Sequence, residues 1–148
     1  MPLEEIFERN IEINAPVHVV WEALTNPVLM KQWMAEPEME LDIITDWKVG
    51  SLIVFKGFHH VTFENKGFVL KFEPDKVLQY THLSSLSRLA DVPEHYSILE
   101  FVLVSSHNHR TKLTVTIRHF PTKTIFKHLE FYWASTLEIF KQFLQQAS

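Results

Sequence analysis

The sequence contains no cysteine among its 148 residues, and it contains only three glycines. The absence of cysteine excludes disulfides and thiolate chemistry and favours a reducing compartment. Three isolated glycines cannot form a glycine-rich loop that cradles phosphates. No apolar run approaches the roughly 18 residues that span a membrane, and Met1–Glu5 lacks the basic start and apolar run of a signal peptide. We therefore expect a soluble cytoplasmic protein.

Basic residues are also too few to give the chain a positive charge. Fourteen Lys and Arg stand against 18 Asp and Glu, which gives a formal net charge of −4. Nucleic acids and anionic membranes are bound by clustered Lys and Arg, so neither is expected as a partner. The apolar content of 46% is ordinary for a globular chain, and the length suits a single domain over residues 1–148. Twelve Phe and four Trp must then be housed inside that domain.

The segment 122–147 predicts one long amphipathic helix that is uninterrupted by Gly or Pro. Its apolar positions follow a period of 3.6 residues and form one face: Phe126, Leu129, Trp133, Leu137, Phe140 and Leu144. Isolated helices owe little of their stability to propensity, so this face needs an equally long apolar partner. The preceding chain must supply that partner.

Most of the preceding chain predicts antiparallel strands with one apolar face. Residues 5–13 alternate as a strand, two short helices follow up to about Pro37, and residues 39–118 read as strands joined by short turns. One turn is predicted at Glu64–Gly67, after which Phe68 and Leu70 would face the core. The order indicates an α+β helix-grip fold: a curved antiparallel sheet of about seven strands, two short helices and one long C-terminal helix.

A long loop interrupts the predicted strands at Ser84–His95. It is rich in Ser, Asp and Pro, and loops of this length in compact domains are often lids or binding loops. With the helix over Asn26–Pro37, it is expected to control access to the interior.

Six short motifs, in one order along nearly the whole chain, resemble a known family. They are Ile13–Pro27, Gln32–Trp33, Asp46–Ser51, Asn65–Gly67, Glu73–His82 and Thr111–Thr114. Together they resemble the activator of heat-shock protein 90 ATPase homologue-like family of the SRPBCC (START and birch-pollen-allergen-like) superfamily. The resemblance implies a START-like helix-grip with a cavity between sheet and helix. This superfamily includes lipid and hormone carriers, polyketide cyclases and chaperone regulators.

On this resemblance, the expected function is binding of a small hydrophobic molecule, lipid-like or aromatic, between the sheet and the C-terminal helix. Such pockets are mostly apolar with a few polar groups. The expected apolar lining is Ile53, Phe55, Phe68, Leu70, Leu99, Phe101, Leu113, Val115, Ile117, Trp133 and Phe140, with Trp33 near the mouth. Tyr80, His82 and His119 are the expected polar points. The alternative is a filled core in which these three groups are hydrogen-bonded and inert.

Two other functions stay open at this stage. One is a stress- or chaperone-associated module that binds another protein through its surface. The other is a cyclase- or hydrolase-type enzyme, which requires Tyr80, His82 or His119 to converge on one substrate atom. Neither a cofactor nor a metal is expected, because the pairs His59–His60 and His107–His109 lack supporting carboxylate or Cys ligands.

Overall fold

The computed structural model describes residues 4–146, which form one sheet and three α-helices. The strands are β1 (Phe7–Ile13), β2 (Asp42–Thr45), β3 (Leu52–His59), β4 (Val61–Glu73), β5 (Val77–His82), β6 (Ser97–Ser106) and β7 (Arg110–Arg118). The helices are α1 (Val17–Thr25), α2 (Pro27–Met34) and α3 (Lys123–Gln146). The predicted helix end at Ala147 and the segment Met1–Leu3 lie outside the described residues.

The sheet has seven strands in the order β1-β7-β6-β5-β4-β3-β2, and each neighbouring pair is antiparallel. Strands β2 to β7 therefore form a six-strand meander, and β1 joins it beside β7. The predicted α+β helix-grip is confirmed. No helix within residues 4–146 is long and apolar enough to cross a membrane.

Helix α3 lies with its apolar face against the sheet, as its sequence period predicts. Leu129, Trp133 and Phe140 are buried, whereas Phe131 and Ile139 on the opposite face are 80% and 51% exposed. Burying this face removes several large side chains from water, and each of them stabilises the fold by about 1.5–3 kcal/mol. Tertiary packing therefore holds α3 in place.

Helices α1 and α2 pack against both the sheet and α3. The Asn26 side chain caps the start of α2 by accepting a hydrogen bond from the Val28 N–H at 3.0 Å, and Pro27 occupies the first helical position. Both roles are those that the sequence predicts for Asn and Pro at the start of a helix. The indole of Trp33 donates to the Ala23 carbonyl at 2.9 Å. Its ring meets that of Phe140 edge-on at 4.5 Å. Trp33 is thus a core residue, and its predicted place near a mouth is wrong.

Strand β4 corrects the prediction of a turn at Glu64–Gly67. The chain reverses at His60, whose φ is +68°, and β4 then runs straight through these residues. Phe55 pairs with Asn65 across the hairpin, so pairing with β3 overrides the local turn preference. Glycine is required at position 67 for close packing and not for a turn, because a Cβ at this position would lie 1.6 Å from the Thr81 carbonyl oxygen.

The orientation of Phe68 and Leu70 is also corrected. Both point to the outer face and are 40% and 38% exposed, whereas Val69 between them is fully buried. A bulge shifts the pairing of β4 with β5 between Val69 and Lys71. Beyond the bulge Phe72 faces inward, stacked on Trp47 at 5.4 Å. A bulge inverts the alternation within one strand, so a single period cannot describe it.

Candidate functional site

Aromatic rings occupy the space between the centre of the sheet and α3. Phe101 lies edge-on to Trp133 at 5.5 Å and stacks on Tyr80 at 5.9 Å, and Tyr80 lies 5.9 Å from Phe55. The other inward residues expected to line a cavity are buried in the same core: Ile53, Leu99, Leu113, Val115, Ile117 and Phe140. Their inward orientation is confirmed, but in this state they fill the centre.

A small cleft instead lies at the end of the sheet, beside the first turns of α3 and under the long loop. Its volume is about 10 Å³, close to that of one water-sized sphere. The lining residues are His82, Leu83, Ser84, Ser87, Leu89, His95, Pro121, Ile125, His128 and Leu129. The cleft is thus an apolar space edged by imidazoles and hydroxyls.

His82 is the predicted site residue that this cleft contains. It ends β5 on the inner face, with its ring centre 6.5 Å from that of Phe55. Burial, and to a lesser extent the nearby His128, lowers the pKa of His82 to about 4. His82 is therefore neutral at pH 7 and offers one hydrogen-bond donor and one acceptor.

The other expected polar points lie elsewhere. Tyr80 is buried among core rings, and burial raises the pKa of its phenol well above the usual value. His119 follows β7 with a φ of +67°, and its Nδ1 lies 2.9 Å from the Tyr96 carbonyl oxygen. The structure therefore brings His82 to the cleft but places Tyr80 and His119 outside its lining.

The loop that covers the cleft is anchored to β4 by the segment Asn65–Lys66. Lys66 and Leu83 exchange two backbone hydrogen bonds, at 2.7 and 3.1 Å. The Asn65 side chain accepts from the Ser85 N–H at 3.3 Å, and the Ser85 hydroxyl accepts from the Glu64 N–H at 2.9 Å. These contacts fix the start of the loop where it leaves β5.

A second anchor fixes the far part of the loop. The Asp91 carboxylate pairs with the Lys66 ammonium and accepts a hydrogen bond from the Tyr96 hydroxyl. These two partners lower the pKa of Asp91, Lys66 having the larger effect. Ser87 and Leu89, which lie between the two anchors, face the cleft. The loop is thus held at both ends over an apolar space.

Sequence reasoning named the loop but missed most of the lining. Ile125, Leu129 and His128 lie on the first turns of α3, where the apolar period predicts core packing with no sign of a gap. Leu89 is one of several apolar residues in the loop, with Leu86 and Val92 among the others, and no local pattern marks it as the one that faces the cleft. The helix α2, expected to control access, lines a different feature.

That feature is an open groove of about 610 Å³ along α2 and β2. Its lining is Lys31, Gln32, Ala35, Glu36, Pro37, Glu40, Leu41 and Asp42. The groove is open to solvent and four of these residues are charged, so it would enclose an apolar molecule less completely than a typical small-molecule pocket does.

The cleft histidines do not form a metal centre. Among residues 4–146 no group of three or more His, Asp or Glu side chains is arranged to hold a metal ion. His95 Nδ1 is also engaged, at 2.7 Å from the Ala90 carbonyl oxygen.

A curved antiparallel sheet that clasps a C-terminal helix defines a protein of the helix-grip class. Residues 14–145 match the family model described as Activator of Hsp90 ATPase homolog 1-like protein. The chain therefore belongs to this family, and the resemblance drawn from its motifs is confirmed. No protein with a curated description matches the chain.

Several solved structures share this fold over nearly the whole chain. Protein ChR145 from Cytophaga hutchinsonii is 34% identical, with a TM-score of 0.80, and the alignment covers 99% of this chain and 98% of that one. The Aha1 dimer from Colwellia psychrerythraea is 24% identical, with a TM-score of 0.72 and coverage of 95% and 96%. DynU16, from the dynemicin biosynthetic locus, is 18% identical with a TM-score of 0.73; the alignment covers 99% of this chain and 49% of DynU16.

Proposed function

We propose that the chain binds a small hydrophobic molecule, lipid-like or aromatic, in the cleft between the start of α3, the end of β5 and the long loop. The carrying observation is the cleft itself, an apolar space around the neutral His82, covered by a loop held at its two ends. The site thus lies at the end of the grip, whereas the sequence placed it at the centre.

Binding requires this cleft to widen. Pockets for small molecules usually measure about 300–1,000 Å³, whereas the cleft measures about 10 Å³. The wall that can move is the loop, because Ser87 and Leu89 lie between its anchors and belong to no strand. The ligand therefore selects an opened state, and the free energy of opening weakens its apparent affinity.

The test is a titration of the ¹⁵N-labelled protein with n-butylbenzene, followed by amide chemical shifts. We expect the shifts to move at Leu89, Ile125 and Leu129. Ile125→Trp fills the cleft from α3 and should weaken binding about tenfold or more, which corresponds to about 1.4 kcal/mol.

Ile139→Trp is the matched control, since it makes the same change on the exposed face of the same helix. It should bind n-butylbenzene as the unchanged protein does. An absence of shifts at the cleft, or equal binding by the two tryptophan variants, would rule out the proposed site.

A second candidate function, a chaperone-associated interaction module, is supported by an exposed apolar row. Ile44, Leu52, Phe68 and Leu70 lie on the outer face of β2, β3 and β4 and are 38% to 49% exposed. Leu52 pairs directly with Phe68 across β3 and β4, so these side chains are neighbours. Clustered exposed apolar side chains mark protein contacts more often than isolated ones do.

Leu52→Asp tests this second function by placing a charge in the middle of the row. If the row binds an Hsp90-type chaperone, affinity in a calorimetric titration should fall about tenfold or more. Val104→Asp on β6, also exposed, is the control and should change little. Equal affinities of both variants, or no binding by the unchanged protein, would reject this function. Ile125→Trp should leave chaperone binding intact, which separates the two functions.

A further inference from the structure

Ser97 is a buried polar residue whose hydroxyl is not used by the fold. Its side chain is 1% exposed, and Ser97 Oγ has no hydrogen-bond partner within residues 4–146. An unpaired buried hydroxyl costs about 1–3 kcal/mol of stability, and such groups are rare in folded proteins. Because the hydroxyl costs stability and makes no hydrogen bond within the described part of the chain, we look for a function that it serves, such as binding a ligand.

The position of Ser97 connects it to the cleft. Ser97 begins β6 and pairs directly with His82, the last residue of β5, so both side chains stand on the inner face of the sheet as neighbours. His82 lines the cleft, and Ser97, its direct cross-strand partner, lies beside it just outside the lining. A molecule that widens the cleft alongside His82 therefore comes within reach of the neighbouring Ser97 hydroxyl.

The backbone next to Ser97 is held firmly. The Tyr96 carbonyl lies 2.9 Å from the His119 ring nitrogen, and the Tyr96 hydroxyl donates to Asp91. These contacts fix the strand on the side where it leaves the loop. The Ser97 hydroxyl is thus presented in a defined place, as a recognition group must be.

We propose that the ligand of this cleft carries an uncharged hydroxyl group, as a phenol or an alcohol does, which Ser97 Oγ and His82 bind at the inner end of the cleft. This inference rests on the proposed function and adds the chemical class of the ligand. Serine and neutral imidazole each offer a donor and an acceptor, which together satisfy a hydroxyl group.

A carboxylate head suits this site less well. Burial keeps His82 neutral, so a carboxylate bound there would lie buried without a compensating charge unless a proton were taken up. His128 and His95 are the other titratable groups around the cleft. A hydroxyl head needs no such proton.

The experiment compares three probes of one shape at pH 7: 4-butylphenol, n-butylbenzene and 4-butylbenzoate. Binding is measured by NMR titration of the unchanged protein and of Ser97→Ala. This variant should fold well, since it removes an unpaired hydroxyl without creating a large cavity. We expect Ser97→Ala to weaken 4-butylphenol binding about 3- to 10-fold, the worth of one net hydrogen bond, and to leave n-butylbenzene unchanged. The benzoate should bind the unchanged protein more weakly than the phenol.

Ser105→Ala, the same change at an exposed position of β6, should alter none of the three affinities. The ¹⁵N resonances of the His82 ring should shift much further with 4-butylphenol, which bonds to the ring, than with n-butylbenzene, which only packs against it. Equal effects of Ser97→Ala on the phenol and on n-butylbenzene, or tighter binding of the benzoate, would overturn the hydroxyl assignment while leaving the cleft as the site. If no probe binds at the cleft, the proposed function fails and the hydroxyl assignment fails with it.

Discussion

Gly67→Ala should destabilise the fold by about 3 kcal/mol or more, although it adds a single methyl group. The new Cβ would lie 1.6 Å from the Thr81 carbonyl oxygen and 2.4 Å from its carbonyl carbon. Both are backbone atoms, so no side-chain rotation relieves the clash. Strand β4 would have to move away from β5, which also strains the hydrogen bond from the Phe68 N–H to the Thr81 hydroxyl at 2.8 Å. Urea denaturation measures the loss.

Gly50→Ala is the comparison for this prediction. Its φ of +91° makes alanine unfavourable, but a Cβ there meets no atom within 4 Å. It should cost only about 1–2 kcal/mol, the ordinary penalty of a left-handed backbone. Similar losses in the two variants would show that β4 and β5 do not approach each other as closely as the structure has them.

Trp133→Ala should cost about 3–5 kcal/mol, because it empties the centre of the grip. The Trp133 side chain is 2% exposed and meets the rings of Phe101 at 5.5 Å and Trp33 at 6.4 Å. Removing it leaves these rings without a partner on one side. The measurement is the free energy of unfolding, again in urea.

Phe131→Ala provides the control from the same helix. Phe131 is 80% exposed, two residues before Trp133, so its loss should change stability by no more than about 0.5 kcal/mol. A small loss in Trp133→Ala would instead indicate that the centre is already loosely filled. The ligand could then occupy the middle of the sheet.

The architecture could be predicted from the sequence because long, regular patterns specify it. The stripe from Leu129 to Leu144 and the alternation of Leu99, Phe101 and Leu103 each match the buried face that the structure shows. The motif Asn65–Gly67 was visible too, but its physical meaning was not. It binds the loop through Asn65 and Lys66 and allows close strand contact at Gly67. A tertiary contact of this kind leaves no local pattern.

The site was harder to predict, since periodicity tells which face is buried and not how completely the space behind it is filled. Phe101, Tyr80 and Trp133 were rightly placed inside, yet their rings meet each other and leave the centre occupied. The bulge after Val69 puts Phe72 on the inner face although Phe68 and Leu70 lie on the outer one, which no single period could show. The unpaired hydroxyl of Ser97 likewise depends on which strands pair.

The most direct measurement is the set of intermolecular nuclear Overhauser effects between bound n-butylbenzene and the methyl groups of the protein. Contacts to Leu89, Ile125 and Leu129 are expected, since these residues line the cleft under the loop. Contacts to Leu99 and Val115 in the centre of the sheet would contradict the cleft as the ligand site.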